Sequence, residues 1–419
     1  MSWEQKLHCY AGVAVLYSLD KLLATTLSGI RFPHALIGLF FIVPALLALS
    51  HYRPRAADRV LAFFKPGVEW VAHRWLPLFY IPALVTLPLA IKPLSDLVLA
   101  KAVAVVCIGV VLTLAMTAQV AVWIRAATRT ELADFHYHSA HIAFSVWHYG
   151  TWGCLALGSL LAAGYLPQEL GSQLAFFFQL AITVLGYMGG MALPKQLHRV
   201  VHPVVVCGAA PNLGAAVWGA VTGEGYWATL RGYLTKGRGS TYGPGDLLFS
   251  FLGVIILAFG FKIFEQWPVM RRHAPEILGA TSASAAFSMF STAALCRLLA
   301  MPPDVARAMV PRSVTMALAL PISEQLEAPQ AITAAAVVLT GIVGANFVQT
   351  LLNALRFRDP IARGLAAAAT AHGLGTAALA GKEPEALPYC ALSYAMCGIV
   401  ATILATVPLI RDGLEAITG

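Results

Sequence analysis

The chain has 419 residues, of which 58% are hydrophobic and only 11% charged, and its mean hydropathy is +0.73. A soluble domain carries about 25% charge, so this composition excludes one and implies a polytopic membrane protein. The formal net charge of +8 does not point to nucleic acid, because the basic residues are spread over short connections between apolar runs.

Apolar stretches near the roughly 20 residues needed to cross the hydrocarbon recur at 34–50, 98–124, 173–193, 200–222, 246–264, 275–299, 331–352 and 388–410. With the runs between them they predict an all-α polytopic membrane protein of about 12 transmembrane helices, with interrupted half-helices in the C-terminal half. Strands of alternating polarity are few, which argues against an outer-membrane barrel. The opening "MSWEQKLHCY" has neither a cleavable signal pattern nor the Arg/Ser-rich look of a transit peptide, so if the protein is organellar the sequence is expected to begin after the presequence.

In the first span Asp20 and Lys21 are adjacent. Neighbours on a helix point about 100° apart, so the two mark a helix end or a contact with another span and not a pair. Prolines at 66, 77, 82, 88 and 93 then predict repeated helix breaks. Up to the sixth span, one set of connections carries Lys6, Arg53, Arg55, Arg59, Lys65, Arg74, Arg125, Arg129, Lys195 and Arg199, and the other only Arg31, Lys92 and Lys101. That bias puts the N-terminus on the cytoplasmic or stromal side.

The polar stretch "RAATRTELADFHYHSAHI" divides the chain into a unit over 1–125, a linker over 126–142 and a larger unit over 143–419. His136, His138, His141 and His148 cluster there, but no carboxylate or thiol completes a ligand set at standard spacing, and a hydrated interface segment is the better reading than a metal site. Further on, the glycine-rich segment 223–246 reads as a long exposed connector. Seven cysteines without a Cys-x-x-Cys spacing read as small buried hydrophobes. Ile263-Phe264-Glu265-Gln266 and Ile322-Ser323-Glu324-Gln325 each end an apolar run, a hint of an internal repeat.

Three segments could carry chemistry. In "MVPRSVTMALALPISEQ" (309–325), Pro311 ends a helix, Ser313 is a good N-cap and Pro321 a breaker, which predicts a half-helix from Ser313 to Leu320. Arg312 stands at its positive end, a misplaced cation unless an anion lies between them. Arg312, the amides after Ser313 and the Thr315 hydroxyl would then form a carboxylate-binding corner; the alternative is an Arg312 that snorkels to headgroups. In "GIVGANFVQTLLN" (341–353), Asn346, Gln349 and Asn353 share one helix face, either a polar cavity wall or interhelical hydrogen bonding.

In the third segment Asp359-Pro360 is an N-cap with proline at the first helical position. The helix it starts should loosen at Gly373 and Gly375, leaving His372 at a break that lines a cavity. There His372 binds an anion or titrates, while the amides from Gly373 to Thr376 offer donors; the alternative is a structural histidine bonded to a carbonyl. Glu383 and Glu385, one turn of chain later, join His372 as proton-coupling candidates, and Arg356, Arg358 and Arg363 read as a headgroup anchor. No His-Glu-x-x-His, Gly-x-Ser-x-Gly or Walker loop is present, so the chain reads as no enzyme, with no cofactor and no metal, and any transport as secondary.

The strings "PRSVTMALALPIS", "RDPIARG", "AHGLGT" and, in the first half, "FPHALIGLFFIVPALL" carry a resemblance. The chain resembles the family of plastidal glycolate/glycerate translocators, in which an LrgA-like (CidA-like) unit is fused to an LrgB-like (CidB-like) unit. The run "SFLGVIILAFGF" keeps Gly253 but lacks the Gly-Pro that bacterial LrgB-like proteins tend to carry there. The resemblance implies a multi-pass carrier of the chloroplast inner envelope that exports glycolate and imports glycerate in photorespiration. Its partners would be those two anions and the lipid bilayer, with a homo-oligomer left open. The same relatives supply a competing reading, a holin-like or murein-hydrolase-regulating pore.

Overall fold

The computed structural model describes residues 3–30, 32–131, 144–165, 170–194, 203–235, 242–380 and 383–419. The chain opens with α1 (Trp3–Thr26), α2 (His34–Tyr52) and α3 (Pro54–Glu69), a π-helical turn (Trp70–Arg74), a 3-10 turn (Leu76–Tyr80) and the short helices α4 (Ile81–Val85) and α5 (Leu87–Ile91). There follow α6 (Asp96–Thr128), α7 (Val146–Ala163), α8 (Gly171–Met191), α9 (Pro203–Thr222), α10 (Tyr226–Tyr233), α11 (Pro244–Phe249), α12 (Leu252–Glu265) and α13 (Trp267–Arg272). The last helices are α14 (Ala274–Leu298), α15 (Pro303–Met309), α16 (Met316–Gln325), α17 (Gln330–Ala354), α18 (Pro360–Ala380), α19 (Leu387–Thr406) and α20 (Pro408–Thr418). Among the described residues there is no strand.

Seven described segments are long and apolar enough to cross a membrane by length and composition: His34–Tyr52, Asp96–Thr128, Gly171–Met191, Pro244–Glu265, Ala274–Leu298, Gln330–Ala354 and Leu387–Thr406. They match seven of the eight apolar stretches read from the sequence, and α9 lies on the eighth. The proline-dense stretch follows from its chemistry: Pro77, Pro82 and Pro88 each fall in the first turn of a new short helix, where a missing N–H breaks no bond.

The chain divides into two compact units that interleave along the sequence: residues 1–72, 94–138 and 253–419 in one, 73–93 and 139–252 in the other. In the smaller unit, Trp218 is buried against Phe178 with ring centroids 5.3 Å apart, and Lys92 lies over the Trp227 ring at 4.2 Å. Part of the segment expected to be an exposed connector is structured there. α10 buries Thr229, Leu230 and Tyr233, and Asp246 accepts hydrogen bonds from the Thr235 and Gly243 amides at 3.0 and 2.9 Å. Apolar residues spaced a turn apart in "YWATLRGY" outweigh the flanking glycines.

The larger unit is organised around α6, whose 33 residues rise about 50 Å, well beyond the roughly 30 Å hydrocarbon thickness. Asp20 of α1 bonds His34 of α2 at 3.0 Å, and its carboxylate lies against Gly253, where a methyl would overlap it. Asp20 therefore marks a contact with other helices and makes no pair with Lys21. At the other end of the unit Asp359 caps α18 as its sequence demands, its Oδ1 accepting from the Ala362 amide at 2.9 Å. The alanines 366–369 are fully buried, and α19 donates to the carbonyls beside them, from Ser393 to Leu365 at 3.0 Å and from Cys397 to Ala369 at 3.8 Å. Methyl-sized side chains permit that close approach.

Candidate functional site

Two helices of the larger unit are interrupted. Helix α15 ends at Met309, residues 310–315 are not helical, and α16 begins at Met316 with Thr315 at its N-cap. Pro311 ends a helix as expected, but the half-helix starts three residues later than Ser313 and runs through Pro321 to Gln325. A proline inside a membrane helix is tolerated where neighbouring groups re-satisfy the freed carbonyl. The second break falls within α18, at Ala371 (φ −125°, ψ 19°) and His372 (φ 43°, ψ −138°). A non-glycine residue in this region costs of order 1–3 kcal/mol and persists only where its surroundings over-determine it.

The surroundings of the first break hold a buried cation. Arg312 is fully buried; it donates from Nε to Thr292 Oγ1 and from Nη2 to Thr113 Oγ1, each at 3.0 Å. Its Nη1 has no hydrogen-bond partner, and among the described residues no carboxylate pairs with it. It does not snorkel. Ser313 spends its hydroxyl on Ser288 at 2.6 Å instead of capping a helix, and one turn away Thr117 donates to Ser284 at 2.7 Å. Ser284, Ser288 and Thr292 recur every four residues on α14 and face Thr113 and Thr117 on α6, so the two helices enclose the guanidinium in a seam of hydroxyls.

Gly109 of α6 leaves room for that guanidinium, since a methyl at this position would overlap Nη2. We expect Gly109→Ala to lower the midpoint of thermal unfolding in detergent, because the added methyl displaces the buried guanidinium from its hydroxyl partners. An unchanged midpoint would show that the guanidinium can be seated elsewhere.

The second break rests on α17. His372 is buried, and its Nε2 lies 3.0 Å from the Val337 carbonyl oxygen. On the same face of α17, a methyl at Gly341 would stand 2.7 Å from His372 Cε1, and one at Gly344 would overlap Ala371. Gly375 packs as closely: a methyl there would be 2.7 Å from the Ala367 oxygen. Gly373, by contrast, is exposed with open space around it, and Thr376 donates to the His372 carbonyl at 3.0 Å.

Both breaks pack against α6 and α19, through adjacent residues that point about 100° apart on each helix. On α6, Thr113 bonds Arg312 while Leu114, the next residue, packs in one cluster with Ala371. On α19, Gly398 abuts Val314 and Leu318 while Cys397, the residue before, donates to Ala369. Two further hydroxyls in this region are fully buried without a partner: Thr370, beside the second break, and Thr340, next to Gly341. An unsatisfied buried polar group costs about 1–3 kcal/mol, and more when charged.

Asn346, Gln349 and Gly375 line one small cleft with Gly344, Thr350 and Leu379. Its volume of ≈ 40 Å³ holds about three waters. Asn346 is exposed and bonds its own helix at Ile342; Asn353, on the same stripe, is exposed too. Gln349 donates to Glu383 at 3.0 Å, and Glu383 is gripped by Arg363, from Nε at 2.6 Å and from Nη2. Arg363 is buried and also bonds the Phe357 carbonyl at 2.7 Å, so it ties α18 to Glu383 and is no headgroup anchor. Glu385 is exposed on a short 3-10 turn. His148 completes the capping box of α7, His136, His138 and His141 lie outside the described residues, and among the described residues no metal-ligating cluster forms.

Comparison with known proteins adds a family. Residues 183–410 match the LrgB-like family. The chain is 39% identical over 417 residues, 98% of its own length and 81% of the relative's, to plastidal glycolate/glycerate translocator 1, chloroplastic, of Arabidopsis thaliana. It is 32% identical over 154 residues (37% of this chain, 67% of the relative) to an uncharacterised protein of Haemophilus influenzae. It is 28% identical over 197 residues (47% and 81%) to the uncharacterised protein YwbG of Bacillus subtilis. No solved structure matches the chain.

Proposed function

From the premise that this chain belongs to the LrgB-like family, we propose that it is a secondary carrier exchanging glycolate and glycerate across the chloroplast inner envelope. The observation that carries this reading is Arg312: a guanidinium buried beside a helix break, with one nitrogen unpartnered and, among the described residues, no carboxylate to neutralise it. A buried lone charge is costly, and so is a buried lone carboxylate. Each removes the cost of the other, and charge-assisted bonds of about 1.5–3 kcal/mol apiece could hold the pair with two or three contacts.

Both substrates carry a hydroxyl next to the carboxylate, and the hydroxyls of Thr340 and Thr370 are buried without a hydrogen-bond partner. They join Thr315, Asn346 and Thr376 as partners for it, while His372 and the amides following each break complete the anion's shell. Access alternates by motion of part of the C-terminal region against a frame that includes the LrgA-like residues 1–125. A stromal N-terminus accords with the basic-residue bias up to the sixth span.

Uptake of labelled glycolate into proteoliposomes, with and without glycerate inside, tests this function. Saturable uptake accelerated by internal glycerate is expected. Nonselective leakage of a small dye would replace the carrier with a pore.

A further inference from the structure

The C-terminal end of α6 gathers charge that the anion site does not use. Arg125 donates from Nε to Asp359 Oδ2 at 3.1 Å, and its Nη1 stands 3.9 Å from the buried carboxylate of Glu276. His273 Nδ1 lies 3.1 Å from Thr130 Oγ1, and Arg272 beside it pairs with Glu131 at 3.1 Å. These contacts bring the end of α13 and the connection between α17 and α18 to the end of α6, and four more arginines come with them: Arg129, Arg271, Arg356 and Arg358. All four are exposed, and among the described residues none of them forms an ion pair.

Among the described residues, six arginines thus meet three carboxylates: Asp359, Glu276 and Glu131. Charges on the adjoining turns, Lys262 with Glu265 and Arg363 with Glu383, are paired and leave that excess unchanged. The C-termini of α6, α13 and α17 carry about half a negative charge each, and the N-termini of α14 and α18 offset most of that. Helix ends therefore do not account for the surplus.

The patch stands at the ends of the helices that build the hydroxyl seam. On α6, Arg125 lies twelve residues from Thr113, about 18 Å along the axis. On α14 the same direction leads from Glu276 to Ser284 and Thr292, and on α18 from Asp359 to the break at His372. Between the two levels Ala121, Ile277, Ala280, Ala362 and Leu365 pack in one buried apolar layer. A positive surface concentrates small anions in the solution against it, which lowers the bulk concentration needed to fill a site reached through it.

We propose that this arginine surface is the vestibule at which the substrate, a small carboxylate anion, gathers on its way to Arg312. This rests on the carrier reading above and assigns one mouth of the route, where the apolar layer of α6, α14 and α18 parts when the carrier opens. The basic-residue bias places this mouth on the side of the N-terminus.

The test measures glycolate uptake by the full-length protein in phosphatidylcholine vesicles, sorted by capture through an N-terminal tag, with the captured and uncaptured vesicles both assayed. Arg129→Gln, Arg271→Gln, Arg356→Gln and Arg358→Gln combined should raise the half-saturating concentration in one of the two populations. The rise should be about fivefold at about 10 mM ionic strength, where fields reach about 30 Å, and under about 1.5-fold at about 1 M, where they reach about 3 Å. Glu131→Gln, at a side chain that is 90% exposed, removes a negative charge and should lower the same value at low salt by about 1.5-fold. No shift at low salt in either population overturns the proposal. So does a rise that persists at high salt, which would make the arginines packing groups, or one seen only with anionic lipid added, which would make them headgroup contacts. Should the combined variant not assemble, Arg358→Gln and Glu131→Gln decide: shifts of opposite sign support the vestibule and shifts of the same sign overturn it. Absence of saturable uptake in the wild type removes the carrier reading itself, whereas saturable uptake with unshifted variants leaves that reading intact.

Discussion

Arg312→Met is expected to abolish saturable glycolate uptake while leaving the protein at least as resistant to thermal unfolding in detergent as the wild type. The expectation follows from the disproportion between what Arg312 costs and what it receives. Its charge is fully buried, two hydroxyls at 3.0 Å are its hydrogen-bond partners, and Nη1 bonds nothing. Replacing a buried ion by an apolar side chain of similar volume is often neutral or stabilising by about 1–4 kcal/mol. A residue kept against its own stability cost is kept for what it binds. Arg312→Lys retains the charge, but a single ammonium cannot span Thr292, Thr113 and a ligand together, and it should weaken apparent substrate affinity by at least tenfold. A clear drop in melting temperature for Arg312→Met, or transport retained by either variant, would identify the seam as structural.

The second large effect is expected at His372, where backbone and side chain can be separated. With φ 43° and ψ −138°, the residue occupies a conformation in which glycine is at ease and histidine is not. His372→Gly should therefore preserve or raise stability while removing the imidazole, and His372→Ala should lose the imidazole and keep the strain. If the ring serves transport, both variants fall at least tenfold in uptake although their stabilities diverge. Should His372→Gly transport like the wild type, the strained backbone is what matters and the bond to Val337 is only an anchor. Thermal midpoints and uptake rates on the same preparations distinguish the outcomes.

Local chemistry proved legible in the sequence and tertiary pairing did not. Asp359-Pro360 announces a helix start within a few residues of itself and Pro311 a helix end, and both appear where the residues call for them, whereas the loosening expected at Gly373 and Gly375 falls just before them, at Ala371 and His372, and the two glycines are helical. Helix α16 runs past Pro321 to Gln325, beyond the expected end at Leu320, because a proline in a membrane helix is decided by its neighbours and not by its own ring. From the sequence Arg363 reads as a headgroup anchor and Glu383 as a proton-coupling candidate, since 20 residues separate them and nothing in their flanking residues announces the pairing. The hydroxyl seam did leave a trace in the four-residue spacing of Ser284, Ser288 and Thr292. That spacing suits any close helix contact, and what turns it into a binding wall is Arg312, supplied from elsewhere in the chain.

The position of α6 bears on why this polypeptide is continuous. The helix lies wholly upstream of residues 183–410, yet it supplies Gly109 and Thr113 to Arg312 and Arg125 to the cap of α18. A protomer reduced to the family segment would present its guanidinium to lipid along one flank and would have to recruit the missing helix from a separate gene product. Joining both on one ribosomal product guarantees equal dosage and removes the chance of assembling the pocket with the wrong mate.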